Sequence, residues 1–288
     1  MVRFTSTGRR IPDNINVVYG DLTDYHSVVN AVKACRPEIV IHLGALTPVS
    51  ESFRMPIAYM STNLEGTMHL CEALRKHAYE SLRLFVFAGT TEMFDTREPI
   101  RPGTPFSPTS PYAVSKISAV MYLKYMLKTY GFPYVVVIPT NTYGRAFVMQ
   151  KHFVIEKIIT SMIEGKKKIV MGNPDAERDF MFREDHVDAY RAVIKACVDG
   201  GMWDKVIGRE FTFGTGVAWR IKDVFLLIAN LLGWVGDVVW GIYRRPNEPG
   251  RIVVDYSEAR DVLGWEPKYD LRSGLIQAAE EWRRVLWR

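Results

Sequence analysis

The sequence of 288 residues predicts an α/β fold built on a parallel sheet. Three short apolar runs have the length and composition of buried strands: residues 38–43, 82–88 and 134–138. Segments whose apolar positions recur at helical spacing alternate with these runs: residues 24–35, 60–77 and 113–130. This alternation favours a parallel sheet, because parallel neighbours need a crossover connection between them.

The composition is that of a globular protein, with 48% apolar and 24% charged residues. The net charge of +5 does not indicate nucleic-acid binding, because the basic residues are scattered apart from Lys166-Lys167-Lys168 and the C-terminal arginines. These two runs are interpreted as solvated faces. A mildly positive cleft would nevertheless suit a diphosphate substrate.

Nothing in the sequence indicates a membrane or secreted protein. The most apolar stretch, residues 224–240, is interrupted by glycine and polar residues, and the N-terminus runs straight into polar residues without a signal peptide. Cys35, Cys71 and Cys197 lie far apart without metal-ligand spacing. They are predicted to be buried free thiols in a reducing cytoplasm.

The front of the chain is expected to contribute one strand and one helix. Residues 15–19 are predicted to form a short strand, and Thr23 is the expected N-cap of the helix 24–35. The strand 38–43 is expected to be fully buried, since only His42 interrupts its apolar run. His42 is interpreted as a core histidine rather than as a ligand.

Tyr112 and Lys116 are the first candidates for chemistry. They lie four residues apart at the start of the helix 113–130, so both side chains should leave the same face. A phenol has an unperturbed pKa of about 10, and an adjacent ammonium group would lower it. Tyr112 could then take a proton from a substrate hydroxyl while hydride leaves the same carbon.

Polar residues also follow the strand 82–88, in the order Thr90, Thr91 and Glu92. The carboxyl ends of the strands are where open α/β sheets bind their ligands. We therefore expect a hydroxyl and a carboxylate to join the phenol and the ammonium.

The Tyr-x-x-x-Lys spacing alone is a weak signal in a chain with 14 tyrosines, but further motifs surround it. They are Gly20-Asp21-Leu22-Thr23-Asp24, Ile41-His42-Leu43-Gly44-Ala45, Thr62-Asn63-Leu64-Glu65-Gly66-Thr67, Thr104 to Lys116, Asn141-Thr142-Tyr143-Gly144, Arg178-Asp179-Phe180, Glu184-Asp185-His186-Val187 and Leu263-Gly264-Trp265-Glu266-Pro267. In this order they resemble the extended short-chain dehydrogenase/reductases that modify nucleotide sugars. The resemblance is strongest to the 4,6-dehydratases of GDP-mannose and dTDP-glucose.

The resemblance implies a Rossmann-type doubly wound parallel sheet, with residues 1–143 as the dinucleotide-binding domain. Residues 144–288 would form mainly a smaller C-terminal substrate lobe, with some elements that return to the main sheet. No Gly-x-Gly-x-x-Gly occurs, although the first strand-turn-helix of such a fold needs one. We therefore expect the chain to lack the first β-α-β unit, which would leave the strand 38–43 without a partner on one side. Either the active enzyme has further residues that supply this unit, which we favour, or the remaining strands pair differently.

The resemblance also assigns roles to individual residues. It implies that the catalytic group consists of Thr90, Glu92, Tyr112 and Lys116. It implies cofactor contacts by Asp21, Leu22, Leu43, Gly44, Ala45 and Asn63, together with Tyr112 and Lys116. It implies substrate contacts by Thr91, Asn141, Arg178 and Arg245, and arginine suits a diphosphate because its planar fork makes paired bonds.

The implied reaction begins when Tyr112, assisted by Lys116 and Thr90, removes the proton of the sugar 4-hydroxyl as NAD takes hydride from C4. Glu92 then removes the C5 proton, water leaves from C6, and hydride returns to C6. NADP is not excluded, because the residue that reads the ribose would lie in the absent front. The product of an NDP-hexose would be a 4-keto-6-deoxy sugar.

Other functions stay open at this point. A 4-epimerase needs no base for C5 and commonly lacks the carboxylate at Glu92, whereas UDP-glucuronate decarboxylases also carry it. Thr91 matches the GDP-mannose type rather than the dTDP-glucose type, which has an acid there. A non-catalytic remnant that cannot bind NAD is the alternative from a different class.

The resemblance further implies a homodimer through a four-helix bundle formed by the helices 60–77 and 113–130. The alternative is that Leu70, Leu74, Met121 and Tyr125 pack on the sheet. Asp185 is expected to cap a structural helix rather than to bind a metal. Later elements are predicted at 153–165, 169–171, 221–232 and 270–287.

Overall fold

The computed structural model describes residues 14–144, 153–241 and 245–286. The described residues form two compact units that interleave along the chain. The first unit runs to Phe94 and continues with Pro105–Ile138 and Val193–Phe211, and the second comprises Asp95–Thr104, Pro139–Ala192 and the residues from Thr212 onward. The division at residue 143 stays a prediction.

The helices of the described residues are α1 Tyr25–Cys35, α2 Val49–Ser52, α3 Pro56–Tyr59, α4 Gly66–His77, α5 Pro111–Tyr130, α6 Val154–Ile163, α7 Arg183–Val198, α8 Trp203–Val206, α9 Ile221–Leu232, α10 Ser257–Leu263 and α11 Leu271–Leu286. The strands are β1 Ile39–His42, β2 Leu84–Ala88, β3 Tyr134–Pro139, β4 Asn141–Tyr143, β5 Lys168–Val170, β6 Glu177–Phe182, β7 Glu210–Phe213, β8 Ala218–Arg220, β9 Asp237–Val239 and β10 Arg251–Ile252.

The first unit is built on a four-stranded sheet in the order β1-β2-β3-β7. The pairs β1/β2 and β2/β3 are parallel, with Ile39 opposite Leu84 and Phe85 opposite Tyr134. The apolar side chains of β2 and β3 are buried almost throughout, as their uninterrupted apolar runs predict. The α/β class with a parallel sheet is thereby confirmed.

The predicted burial of the strand 38–43 is wrong. Among the described residues β1 is the outermost strand of its sheet, and Ile41 and Leu43 are 43% and 59% exposed. The predicted strand at residues 15–19 is also wrong, since only Tyr19 makes an isolated bridge there. A strand inside a sheet has neighbours on both sides. Among the described residues β1 has one neighbouring strand, β2, so its side chains are less completely buried than those of β2 and β3.

The helix predicted at 24–35 forms as α1, but its cap differs from the prediction. The Asp24 carboxylate accepts a hydrogen bond from the His26 backbone N–H at 3.0 Å, so Asp24 is the N-cap. Thr23 instead donates its hydroxyl to Asp21 Oδ1 at 2.8 Å. Asp24 rather than Thr23 caps the helix, because the Thr23 hydroxyl is already hydrogen-bonded to Asp21.

The helix predicted at 60–77 contains an irregular turn. α3 continues into a π-helical turn, Met60–Glu65, and this turn continues into α4. Such turns widen a helix by one residue and are frequent at functional sites. The turn carries Asn63, which faces the core.

The second unit contains a sheet in the order β10-β6-β4, with β8 antiparallel to β6, and a separate parallel pair β5/β9. Its core is formed by α6, α9 and α11, with Phe182, Phe225 and Trp282 fully buried. These three helices lie within a few residues of the predictions at 153–165, 221–232 and 270–287.

Asp185 does not cap its helix, contrary to the prediction. α7 begins at Arg183, so Asp185 lies in its first turn. Its two carboxylate oxygens accept the backbone N–H groups of Lys268 and Tyr269 at 3.0 and 3.1 Å. Asp185 therefore holds a distant loop of the same unit against α7, which spacing along the sequence cannot reveal.

The cysteine prediction holds in part. Cys71 and Cys197 are buried free thiols, whereas Cys35, at the end of α1, is exposed. The described ranges contain no group of three or more side chains arranged to bind a metal ion. Within the same ranges no helix is both long and apolar enough to cross a bilayer.

Candidate active site

The polar residues after β2 lie on a tight turn. Gly89 follows the strand, and a Cβ there would come within 2.9 Å of Val136 Cγ1, so the close packing on β3 needs glycine. Thr90 then caps the short 3₁₀ turn Thr91–Met93 by accepting the Glu92 backbone N–H at 3.3 Å. The turn thereby fixes the backbone that carries Glu92.

The start of α5 is fixed by its own sequence. The Ser110 hydroxyl accepts the Ala113 backbone N–H at 3.2 Å, and Pro111 occupies the first helical position, where its missing N–H costs nothing. Tyr112 and Lys116 follow, with only 7% and 3% of their surface exposed. The prediction that both leave one face of the helix is confirmed, and that face is buried.

Tyr112 lies among groups that act on its phenol. A side-chain hydrogen bond joins it to Thr90, and the ring of Tyr59 packs edge-on at a centroid distance of 6.2 Å. Burial raises the pKa of Tyr112, the Thr90 hydrogen bond opposes this, and the nearby charge of Glu92 raises the pKa further. The prediction that Lys116 makes this phenol acidic is wrong for this structure, because loss of solvent dominates.

Lys116 is held by a backbone carbonyl and an aromatic face. Its Nζ donates to the Ala88 carbonyl oxygen at 2.8 Å and lies 4.7 Å from the centroid of the Phe87 ring. Burial lowers the pKa of Lys116 to about 8. Lys116 can therefore gain or lose a proton near neutral pH.

His42 is the core histidine that the sequence predicts. Its Nε2 lies 2.9 Å from the Thr67 hydroxyl oxygen in a hydrogen bond. Burial, with a further contribution from the charge of Lys116, lowers the pKa of His42 to about 3. The neutral ring is thus a packed polar group of the sheet.

Asn63 connects the loop after β1 to the start of α5. Its Oδ1 accepts the Leu46 backbone N–H at 2.8 Å, and its Nδ2 donates to the Leu46 carbonyl oxygen and to Ser115 Oγ, both at 3.0 Å. Ser115 Oγ donates to the Tyr112 carbonyl oxygen at 2.7 Å. Sequence reasoning missed Ser115, and its position next to Lys116 was the only available signal.

A groove of about 530 Å³ lies beside β1. Four of the residues expected to contact a cofactor line it: Leu22, Leu43, Gly44 and Ala45. Asp21 and Asn63 are not among its lining residues. Asp21 holds the Thr23 backbone N–H and hydroxyl, and Asn63 reaches the groove only through Leu46.

Leu22 forms one wall of the groove by packing against two glycines. A Cβ on Gly44 would lie 2.7 Å from Leu22 Cδ1, and one on Gly66 would lie 2.8 Å from Leu22 Cβ. Larger residues at these positions would push Leu22 away. The remaining wall residues on α1 and β1 are mostly apolar, so the groove suits a flat, partly apolar ligand.

The predicted substrate residues fall in two places. Thr91 is buried on the 3₁₀ turn of the first unit. In the second unit Asn141 is the exposed first residue of β4. The same unit brings Arg178 and Arg245 to one carboxylate, Glu248, at distances of 3.2 and 3.9 Å.

Comparison with known proteins agrees with the motif order. The chain matches the GDP-mannose 4,6 dehydratase family over residues 3–278. It is 28% identical to dTDP-glucose 4,6-dehydratase of Mycolicibacterium smegmatis over 288 aligned positions, which cover 96% of this chain and 82% of that protein.

Solved structures share the fold. The UDP-glucose 4-epimerase of Thermotoga maritima, crystallised with UDP-glucose, superposes with a TM-score of 0.84 at 26% identity and covers 96% of this chain and 88% of its own. The Thermus thermophilus UDP-glucose 4-epimerase complex with NAD gives a TM-score of 0.85 at 24% identity, with coverage of 96% and 88%. The match of the family model over residues 3–278 shows that the chain belongs to the GDP-mannose 4,6-dehydratase family of nucleotide-sugar enzymes.

Proposed function

We propose that this chain is an NAD-dependent NDP-hexose 4,6-dehydratase that forms a 4-keto-6-deoxy sugar. One observation supports this most strongly: Thr90, whose side chain is hydrogen-bonded to Tyr112, also caps the 3₁₀ turn that carries Glu92, so the carboxylate and the phenol belong to one cluster. A carboxylate beside the phenol is what a dehydratase needs and an epimerase does not, because only dehydration requires a base at C5. The two side chains supply the two bases of such a reaction.

Proton removal at the 4-hydroxyl is the task of Tyr112. In its buried position the phenolate would be a strong base, since it has little solvent to stabilise it. The Thr90 hydrogen bond favours the phenolate, and Lys116 lies one helical turn further along the same face of the helix. A dinucleotide, when bound, supplies the acceptor for the hydride at C4.

Water loss is the task of Glu92. The carboxylate takes the C5 proton, which the 4-ketone has made acidic, and the C6–O bond breaks as the double bond forms. Thr91 has an aliphatic hydroxyl, which is too weak an acid to protonate the leaving oxygen in place of a carboxylic acid. Glu92 therefore hands the proton it has taken from C5 to the departing hydroxyl, which leaves as water. The C5=C6 double bond that remains would become the 4-keto-6-deoxy product when C6 regains the hydride removed from C4 and C5 takes a proton from solvent.

The groove beside β1 suits the dinucleotide. Leu22, Leu43, Gly44 and Ala45 would hold it, because they form part of its mostly apolar wall. Asn63 ties this wall to the helix that carries Tyr112 and Lys116. These hydrogen bonds fix the position of the groove wall relative to Tyr112 and Lys116.

The substrate diphosphate is assigned to Arg178 and Arg245, and Asn141 is assigned to the sugar side of the substrate. The two guanidinium groups already share a carboxylate, which supports their use as an anion site. The UDP-glucose in the T. maritima relative's crystal shows that a nucleotide sugar binds to a protein of this fold.

The proposal is tested by incubating the purified chain and NAD with dTDP-glucose, GDP-mannose and UDP-galactose separately, followed by mass spectrometry and alkali treatment. We expect one of these nucleotide sugars to lose one water and to give an alkali-labile 4-keto product. A product of unchanged mass and inverted C4 would establish the 4-epimerase that the T. maritima relative suggests. No product from any of them would favour the non-catalytic remnant.

We also propose a homodimer through α4 and α5. Met121 and Tyr125 on α5 are 54% and 46% exposed, so they do not pack on the sheet of their own chain. Leu74 on α4, by contrast, is fully buried within its own chain. Sedimentation of the wild type should give a dimer and the Met121→Glu variant a monomer, whereas a monomeric wild type would contradict the proposal.

A further inference from the structure

Arg178 occupies a rigid position in the second unit. It is the second residue of β6 and lies opposite Ile252 of β10 and Trp219 of β8. Its Nη1 donates to the Glu177 carbonyl oxygen at 2.9 Å, and its Nη2 donates to Glu248 Oε1 at 3.2 Å. Only 6% of its surface is exposed.

Arg245 approaches the same carboxylate oxygen from another side. Its Nε lies 3.9 Å from Glu248 Oε1. Asn247 lies between Arg245 and Glu248 in the sequence and has a φ of 51°. Asparagine tolerates this left-handed conformation, which turns the chain locally. This turn places Glu248 beside the arginine three residues before it.

One carboxylate oxygen thus stands near two guanidinium groups. An arginine keeps its charge in proteins, so a pair of arginines held this close repels unless an anion lies nearby. Arg178 is fixed in a sheet, whereas Glu248 lies on a loop outside the strands and is the most exposed of the three side chains. Glu248 is therefore the member of the cluster that can leave when a stronger anion arrives.

A diphosphate is a stronger match than a carboxylate for this pair. It carries more negative charge and offers oxygens to both arginine forks at once, whereas Glu248 offers one shared oxygen. From this juxtaposition we infer that Glu248 is an internal anion, which neutralises Arg178 and Arg245 in the free protein and is displaced by the substrate diphosphate. The inference rests on the proposed function, which assigns these arginines to the diphosphate.

The inference has a consequence for affinity. Displacing Glu248 breaks its contacts with the arginines before the diphosphate can form its own, so Glu248 weakens binding. Removing the charge of Glu248 should strengthen the binding of a nucleoside diphosphate roughly tenfold, the scale of one partly buried ionic hydrogen bond. If Glu248 instead held the arginines in their binding geometry, its removal would weaken binding.

The experiment is isothermal titration calorimetry of the full chain with GDP, dTDP and UDP. The variants are Glu248→Gln and, as a second test, Glu248→Asp, which keeps the charge on a shorter side chain. The matched control is Glu177→Gln, which removes an equal charge next to Arg178 but from a carboxylate that pairs with Arg251 at 3.2 Å. Thermal unfolding of each variant checks that it is folded.

We expect the tightest binding for Glu248→Gln, intermediate binding for Glu248→Asp, and less than a twofold change for Glu177→Gln. A wild type that binds a nucleoside diphosphate while Glu248→Gln binds it equally or more weakly would overturn this inference alone. If neither protein binds any of the three nucleotides, the assignment of the arginines fails, and with it both this inference and the substrate site of the proposed function.

Discussion

Two buried cations, Lys116 in the first unit and Arg178 in the second, have different surroundings. Lys116 bonds to a backbone carbonyl and lies over an aromatic ring, and no carboxylate of the described residues lies within ion-pair distance of its Nζ. Arg178 has a carboxylate partner, Glu248, at 3.2 Å. Among the described residues, Arg178 thus has a carboxylate counter-ion and Lys116 does not.

The difference follows from what each side chain can do. A lysine can lose its proton when burial becomes costly, and the pKa of Lys116 falls to about 8. An arginine keeps its charge and needs an anion nearby, which Glu248 provides in the free protein. The comparison teaches that the lysine position suits proton chemistry, whereas the arginine position suits the binding of an anion.

The largest expected effect is on turnover. Lys116→Met should lower kcat at least about 100-fold, because a positioned acid–base group contributes that much or more. The measurement is steady-state turnover of whichever nucleotide sugar gives product. The control is Lys124→Met on the same helix, where the lysine is half-exposed and pairs with Glu210 at 2.7 Å. Equal losses in both variants would contradict the special role of Lys116.

The same variant should also change stability in a pH-dependent way. The folded pKa of Lys116 lies below its usual 10.5, so its burial penalty is complete below pH 8 and disappears as the pH rises to 10.5. We expect Lys116→Met to raise the free energy of unfolding by about 3 kcal/mol at pH 7 and by much less near pH 10. Denaturant unfolding at both pH values measures this, and a pH-independent difference would count against an unneutralised lysine.

Glu156 is a buried anion whose burial, like that of Lys116, changes its pKa. Glu156 accepts the Gly144 backbone N–H at 2.9 Å through Oε1, while its buried Oε2 makes no hydrogen bond to the described residues. Burial raises the pKa of Glu156 to about 7, so its penalty is absent at pH 4.5 and complete above pH 7.

Glu156→Gln should therefore raise the free energy of unfolding by about 3 kcal/mol at pH 8 and by less than about 1 kcal/mol at pH 5. Urea unfolding at the two pH values is the measurement. Glu258→Gln, a substitution in the first turn of α10, serves as the control for the general loss of a negative charge. A stabilisation of equal size at both pH values would rule out the titration of Glu156 as its cause.

The smallest expected effect is on nucleotide affinity. Arg178→Lys keeps the charge but loses the planar fork, so the Kd for a nucleoside diphosphate should rise roughly tenfold. Calorimetric titration measures this, with Arg251→Lys in the neighbouring strand as the control. An unchanged Kd for Arg178→Lys would contradict the assignment of the Arg178 guanidinium group to the diphosphate.

The sequence predicted the central elements well and their surroundings poorly. β2, β3 and α5 lie within two residues of their predicted bounds, because apolar runs and helical spacing are local signals. The burial of β1 was mispredicted, since it depends on neighbouring strands and not on its own residues.

The electrostatics of the site could not be predicted for the same reason. The side chains of Thr90, Glu92, Tyr112 and Lys116 were identified from motifs, and the structure places them in one unit. The raised pKa of Tyr112 and the carbonyl partner of Lys116 result from tertiary packing, which spacing does not encode. Glu248 could not be found at all, because its link to Arg178 spans 70 residues.

The most direct test of the central claim is the reaction run in deuterium oxide, with NMR analysis of the product of GDP-mannose or dTDP-glucose. In the proposed mechanism Glu92 passes the C5 proton to the departing water, so C5 must take its new hydrogen from solvent. We predict a 4-keto-6-deoxy sugar with one deuterium at C5, and no such product from Glu92→Gln. A keto product without deuterium at C5, or full turnover by Glu92→Gln, would contradict the assignment of Glu92 and the dehydratase mechanism with it.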